Sequence, residues 1–346
     1  MFSILSFRKK LIISLLFIVG LLGACTDNPT SVPTVQPTSN SNGENTPALV
    51  QPSPTAPLPG LVWLVIPPAG ETTAASIQPW LEQKAAADNL TLEVRTPAEL
   101  TNPPENLQLL ILSTADSQTI DWSAGYPNLR LIILNDDSTP PSPNVSVIRS
   151  STAQQAFIAG FITTLVAPDF RSGAMFRQDD PLVNQMEDAF RNGGRYLCGR
   201  CAPVFAPIVL FPQTTTFFPN ADPQGWVGAF DALQQNRLET IYLSDPALLQ
   251  PALLDQITRQ NVAILSVQPA PEEYRNQWIA MLQTDWLTAL EKAWQNWRNG
   301  DEGALWQAST QISEVNPERL TEGKLELVRK TLRELEEGWI YPLSVP

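Results

Sequence analysis

From Leu61 to Val267 the chain alternates short apolar runs with stretches of helical period, and that alternation leaves few folds open to it. Residues 61–66, 90–94, 107–112, 129–134 and 145–148 are too short for buried helices and rich enough in Leu, Ile and Val to be strands. Helical patterns at 74–87 and 117–124 can cross between them, and strands spaced by helices predict a parallel α/β sheet. A helix at 152–166 ends before Pro168, and the cycle then starts again. Strands are expected at 172–176, 208–211, 240–243 and 262–267, with helices at 181–192, 223–235 and 246–260. Each of those three helices opens on a proline, the residue best suited to a first helical turn. Two successive cycles predict two similar lobes, each a mainly parallel sheet flanked by helices.

The remaining chain continues the pattern. A proline-rich joint at 268–271 precedes a strand at 277–282 and a helix at 285–298. Trp286, Leu290, Ala293, Trp294 and Trp297 share one face of that helix, the spacing of a core-packing face rather than a ligand box. An amphipathic helix at 317–337, stopped by Gly338, and a short strand at 339–341 close the chain. The expected division places 61–168 and 276–316 in an N-terminal lobe, and 169–275 and 317–346 in a C-terminal lobe.

The N-terminus is of a different kind. Arg8, Lys9 and Lys10 precede an apolar run at 11–22, then Gly23, Ala24 and Cys25, which is the order of an export signal. The run is shorter than the roughly 18 to 20 residues that a membrane-spanning helix needs. Leu22-Gly23-Ala24-Cys25 resembles the lipobox of bacterial lipoproteins. That resemblance implies a cleaved signal peptide at 1–24, a lipid-modified Cys25 as palmitate-type anchor, and a body on the extracytoplasmic face of the cell membrane. Residues 26–60 carry eight prolines among Ser, Thr, Asn and Gln, with Asp27 and Glu44 as the only charges. Such a segment buries too little apolar area to fold and reads as a semi-extended tether.

Composition removes several chemistries. The chain has no histidine, which excludes Ser-His-Asp and Cys-His catalysis and HExxH zinc sites. Loss of the first 24 residues takes three basic residues and no acidic one, carrying the net charge from −13 to −16. Nucleic acid is therefore a poor partner, and so is polybasic docking on a membrane. Beyond Cys25 only Cys198 and Cys201 remain, too few for a cysteine-only zinc site and enough for one disulfide in an exported protein. Their CxxC spacing also matches a thiol-redox site, but such sites open a helix, whereas this one follows an expected helix end at 192–194. No P-loop, EF-hand or dinucleotide fingerprint is present, so no metal and no cofactor is expected.

Several stretches resemble the basic membrane lipoproteins, the substrate-binding components of ABC importers that include receptors for purine nucleosides. They are Tyr126-Pro127-Asn128-Leu129-Arg130, the run Asn144 to Ser150, and Gln155-Ala156-Phe157-Ile158-Ala159-Gly160. To these are added, more loosely, Ser172-Gly173-Ala174-Met175-Phe176, then Asp188-Ala189-Phe190-Arg191-Asn192-Gly193 and the closing Glu337-Gly338-Trp339-Ile340-Tyr341-Pro342. The resemblance implies a type I periplasmic-binding-protein fold with ligand held between two lobes, at the C-terminal edges of the sheets. Two departures stand out. Pro67 to Thr72 replaces the family's polar ligand-holding segment after the first strand, and Ser266-Val267-Gln268 replaces aspartates of which one contacts ribose.

Strand-end loops supply the candidate ligand-binding residues by the same edge rule. They are Glu71 and Thr72, Ser113 and Asp116, Asn135 and Asp136, Arg177 and Asp179, Phe217 and Phe218, Ser244 and Asp245, and Gln268. Phe217 and Phe218 are the stacking candidates, and Arg177 is suited either to an anionic group or to an interlobe salt bridge. The reading is a monomeric, non-enzymatic, lipid-anchored solute-binding protein that serves an ABC permease, with nucleoside-like solutes among its candidate ligands. The alternatives are a receptor-like fold with a degenerated pocket, kept as a sensor or interaction module, and, more remotely, a thiol oxidoreductase.

Overall fold

The computed structural model describes residues 59–66, 72–100, 102–113, 117–134 and 139–343. Cys25, the tether up to Leu58, Glu71, Asp116, Asn135 and Asp136 lie outside the described residues. Twelve strands among the described residues form two six-stranded sheets. The first sheet contains β1 (Gly60–Val65), β2 (Leu90–Arg95), β3 (Leu107–Leu112), β4 (Arg130–Leu134), β5 (Val145–Ser150) and β11 (Leu305–Ala308). Its order is β11-β5-β4-β3-β1-β2 and every pairing is parallel. The second contains β6 (Ser172–Arg177), β7 (Gln213–Phe217), β8 (Thr240–Leu243), β9 (Ala263–Ser266), β10 (Trp278–Thr284) and β12 (Thr310–Ser313). Its order is β12-β10-β9-β8-β6-β7, with only β12 antiparallel to its neighbour.

Apolar residues on both faces explain why each sheet is sandwiched. Alternate strand residues point to opposite faces, so a run such as Leu109-Leu110-Ile111-Leu112 fills two cores at once. Leu109 and Ile111 meet Ile77 and Leu81 of α1 (Thr72–Ala87) and Leu290 and Trp294 of α7 (Trp286–Arg298). Leu110 and Leu112 face Trp122 of α2 (Ser117–Gly125). In the second lobe Phe176 and Tyr242 pack under α3 (Thr152–Val166), α4 (Val183–Cys198) and α8 (Glu322–Glu336). Met175 and Ile241 face α5 (Pro223–Gln234) and α6 (Pro251–Arg259) on the other side.

The chain passes between the sheets three times, each time through one residue. Ser151 separates β5 from α3, Asp285 separates β10 from α7, and Ser309 separates β11 from β12. Ser151 and Asp285 are also helix N-caps, accepting from the backbone N–H of Gln154 and Thr288 at 3.1 Å each. These crossings differ from the expected boundaries. The helix α3 packs on α4 and β6 of the second lobe, and β10 and β12 pair within the second sheet, whereas α7 and β11 return to the first.

Four elements also differ from the sequence expectation. The strand expected at 208–211 is irregular, and the edge strand is the polar β7 that follows Pro212. No strand forms at 339–341, where Trp339 and Tyr341 are exposed, although Gly338 does end α8 with a φ of 75°. The helix expected at 246–260 divides into a 3-10 turn at 246–248 and α6, because Pro251 denies the backbone a donor. Finally, α4 does not stop at its glycine pair but runs on to Cys198.

Candidate functional site

A cavity of about 650 Å³ lies where the two sheets present their strand ends and crossings to each other. The first lobe contributes Ser76 of α1, Ser150 at the end of β5 and Trp286 at the start of α7. From the second come Thr152 and Gln155 in the first turn of α3, Ser244 and Pro246 after β8, Val267, Gln268 and Pro269 after β9, and Met281 to Thr284 of β10. Loops at the C-terminal ends of parallel strands converge on one crevice because every helix that follows them starts there. Two such starts, Thr152 of α3 and Trp286 of α7, line the wall, and the positive end of a helix favours hydrogen-bond acceptors.

The chemistry of the described wall is polar and uncharged. Ser244 Oγ donates to the Met175 carbonyl at 2.8 Å, which leaves its lone pairs toward the crevice. The Gln268 backbone N–H donates to Ser266 Oγ at 3.1 Å, and its carbonyl accepts from Trp278 Nε1 at 3.3 Å. That fixes the loop while the Gln268 side-chain amide has no protein partner among the described residues. Trp286 and Met281 supply apolar surface beside these groups. The wall suits a neutral solute with several hydroxyl or amide groups and one flat apolar face.

Of the residues expected from sequence, Ser244 and Gln268 line the cavity. Thr72 opens α1, and its side chain is outside the described ones. Asp245 accepts from the Ala247 backbone N–H at 2.7 Å, capping the 3-10 turn, and pairs with Arg177 at 3.4 Å. Arg177 is also bound in a fork to Asp179, at 3.0 Å from Nε and 2.9 Å from Nη2. The Arg177 guanidinium holds the Asp179 carboxyl below the usual carboxylate range, and Asp179 in turn raises the pKa of Arg177. All three residues belong to the second lobe, so Arg177 ties its own strand ends together and makes neither an interlobe bridge nor a free anion clamp.

The aromatic pair separates. Phe217 is 3% exposed and packs edge-on against Trp226 at 6.2 Å, so it belongs to the core. Phe218 is 54% exposed at the end of the edge strand and stands away from the cavity lining. Ser113, at the end of β3, is buried with an Oγ that has no hydrogen-bond partner among the described residues. Cys198 and Cys201 are joined by a disulfide at the C-terminal end of α4, with Cα atoms 5.1 Å apart. A helix C-terminus does not stabilise a thiolate, unlike the N-terminal setting of redox pairs.

Trp286, Thr152, Gln155, Gln283 and Thr284 are site residues that sequence reasoning missed. By spacing, Trp286 shares the core stripe of α7, whose inner members Leu290 and Trp294 are buried. The available signal was position, since each missed residue stands at or next to a strand–helix junction where the chain changes sheets.

No family model matches the sequence, and no curated protein matches it. Solved structures do. An ABC transporter system solute-binding protein from Conexibacter woesei DSM 14684 is 14% identical, with 84% of this chain and 99% of that one covered at a TM-score of 0.57. One from Aeropyrum pernix K1 is 13% identical over 82% of this chain and 87% of that one, at 0.55. A transcriptional activator of the comK gene from Bacillus halodurans is 12% identical over 82% and 99%, also at 0.55. At such identities the likeness is one of fold. With two parallel sheets joined by three crossings around a shared crevice, that fold is of the type I periplasmic-binding-protein kind.

Proposed function

We propose that the chain is an extracytoplasmic solute-binding lipoprotein of an ABC importer, anchored through Cys25, that captures a small neutral polar solute between its lobes and delivers it to a permease. The observation that carries this reading is the interlobe cavity, whose described wall combines side-chain amides and hydroxyls with Trp286 and no charge. The cationic candidate named from sequence, Arg177, is paired with Asp179 and Asp245, which argues against an anionic solute. The likeness in fold to solute-binding proteins and the resemblance to basic membrane lipoproteins support the same reading. It involves no catalysis.

A thermal-shift screen of nucleosides, bases, sugars and amino acids tests it. A solute at 100 times its dissociation constant stabilises the folded state by about 2.7 kcal/mol. A shift with a neutral polar compound, lost in Gln268→Ala, supports the proposal. Silence across the panel favours the second reading, a sensor with a degenerated pocket. That reading draws on the structural use of Arg177, Asp245 and Phe217. The anchor has its own test, since mass spectrometry of the mature N-terminus must find Cys25 acylated.

A further inference from the structure

Between α4 and β7 the chain runs Cys201-Ala202-Pro203-Val204-Phe205-Ala206-Pro207-Ile208-Val209-Leu210 without a single charge. Val204, Phe205, Ile208 and Leu210 are 76%, 72%, 71% and 54% exposed, the densest exposed apolar group among the described residues. Contiguous apolar exposure of this kind on a soluble body marks a contact surface.

The loop is not loose. Its first half is held inward by a buried guanidinium: Arg171, 5% exposed at the side chain, donates to the carbonyls of Phe205 and of Pro207 at 3.4 Å, and to that of Asn236 outside the loop at 2.8 Å. Asp169 accepts from the Val204 N–H at 2.8 Å, Arg237 donates to the Ala206 carbonyl at 3.4 Å, and Phe211 N–H donates to the Cys201 carbonyl at 3.2 Å. Pro203 and Pro207 have no N–H to satisfy. The Cys198–Cys201 disulfide anchors the residue that precedes the loop to the end of α4. These bonds hold the segment in place while its large apolar side chains stay outward.

The surrounding charge selects the kind of surface. Arg237, which bonds the loop at Ala206, Arg200, two residues before it, and Arg195, in the last turn of α4, are exposed and have no acidic partner among the described residues. The nearby acids Asp169 and Glu239 are engaged, Asp169 by Arg171 and by the Val204 N–H, and Glu239 by the Asp169 N–H. The chain is acidic as a whole, but charges beyond about 8 Å are largely screened at physiological salt, so the local basic rim sets the interaction.

We propose that the 202–210 loop is a membrane-contact element that seats its four apolar side chains in the interface of an anionic lipid surface, with Arg195, Arg200 and Arg237 over the headgroups. It lies before β7, with Arg171 before β6 and Arg237 before β8, hence at the sheet edge opposite the solute cavity. The proposal is independent of what the cavity holds and of lipid on Cys25.

The test uses the chain from Thr26 onward, which lacks the apolar leader and the cysteine and retains the whole compact unit Ala56–Pro346. Co-sedimentation is measured with phosphatidylcholine vesicles and with vesicles containing roughly a third phosphatidylglycerol. Expected is preferential binding to the anionic vesicles, reduced by high salt. It should fall about tenfold in Phe205→Ser/Ile208→Ser. Arg195→Gln/Arg200→Gln/Arg237→Gln should abolish the lipid preference. Amides of the loop should gain hydrogen-exchange protection only with anionic vesicles, a readout that does not depend on the variants folding. Equal binding by wild type and the serine variant overturns the proposal. So does loop protection without vesicles at concentrations where the chain dimerises, which would assign the surface to a second copy.

Discussion

Gly160 on α3 and Gly193 on α4 show how a single side chain can hold a lobe together by being absent. A Cβ at Gly193 would stand 1.8 Å from the Phe157 carbonyl oxygen, and one at Gly160 would stand 1.9 Å from that of Phe190. The two helices therefore touch backbone to backbone, which only glycine permits. Gly193→Ala should force them apart and lower the unfolding free energy by about 3 kcal/mol, the upper end for overpacking in a core. Urea denaturation measures it, and a loss within error would mean that the helices slide freely. Asp169 makes a second residue-scale prediction. Its pKa is held below the ordinary aspartate range, first by the Val204 N–H and then by Arg171. The stability it contributes is complete above that ordinary range and is lost as pH falls through the lowered folded value. The gap in urea midpoint between wild type and Asp169→Asn should therefore close in acid, while a gap unchanged by pH would show that the carboxylate is not the source.

At the scale of elements, the buried strands and the longer helices were legible because periodicity records burial directly. Of the four edge strands, only β2 was. Thr214-Thr215-Thr216 of β7 and the short β11 and β12 carry no apolar run, since an edge strand is half solvated and its position is set by its neighbour. The pair Gly193-Gly194 reads the same whether it ends a helix or lets two helices meet, and only the presence of α3 decides. The site was half legible for a related reason: strand ends such as Ser244 and Gln268 follow from the strands, whereas Trp286 and Thr152 line the cavity only because the chain changes sheets beside them. The Cys198–Cys201 disulfide belongs to this scale as well. It closes a very short loop, so Cys198→Ser/Cys201→Ser should cost about 2 kcal/mol by loop entropy. The urea midpoint reports the global loss, and hydrogen exchange should confine the loosening to residues 199–212. Loosening throughout α3 and α4 would instead make the bridge a support of the whole helix pair.

For the whole molecule, the three one-residue crossings matter most. The Asp285 N–H donates to the Ser309 carbonyl at 2.8 Å, and the Asp285 side chain accepts from Gln311 Nε2 at 2.5 Å, so two of the crossings are bound to each other. Gln155 Nε2, one turn beyond the third, donates to the Leu282 carbonyl at 3.4 Å. A joint that narrow lets the lobes rotate with few dihedral changes, while each lobe keeps its own two cores. Most of the polar wall comes from the second lobe, whereas Trp286 comes from the first. On the proposed function, a solute that contacts Gln268 and Gln283 would reach Trp286 only across the crevice, so binding energy would be available for closure in proportion to that contact. A bound solute should reduce the radius of gyration in small-angle scattering. Trp286→Ala should weaken binding about tenfold, or 1.4 kcal/mol, and diminish the compaction. Asp285→Ala, which removes a helix cap worth about 1 kcal/mol, should lower stability while leaving the contacts of the bound solute in place. Binding without compaction, and with the affinity of Trp286→Ala unchanged, would place the solute on the second lobe alone and remove the closing motion from the account.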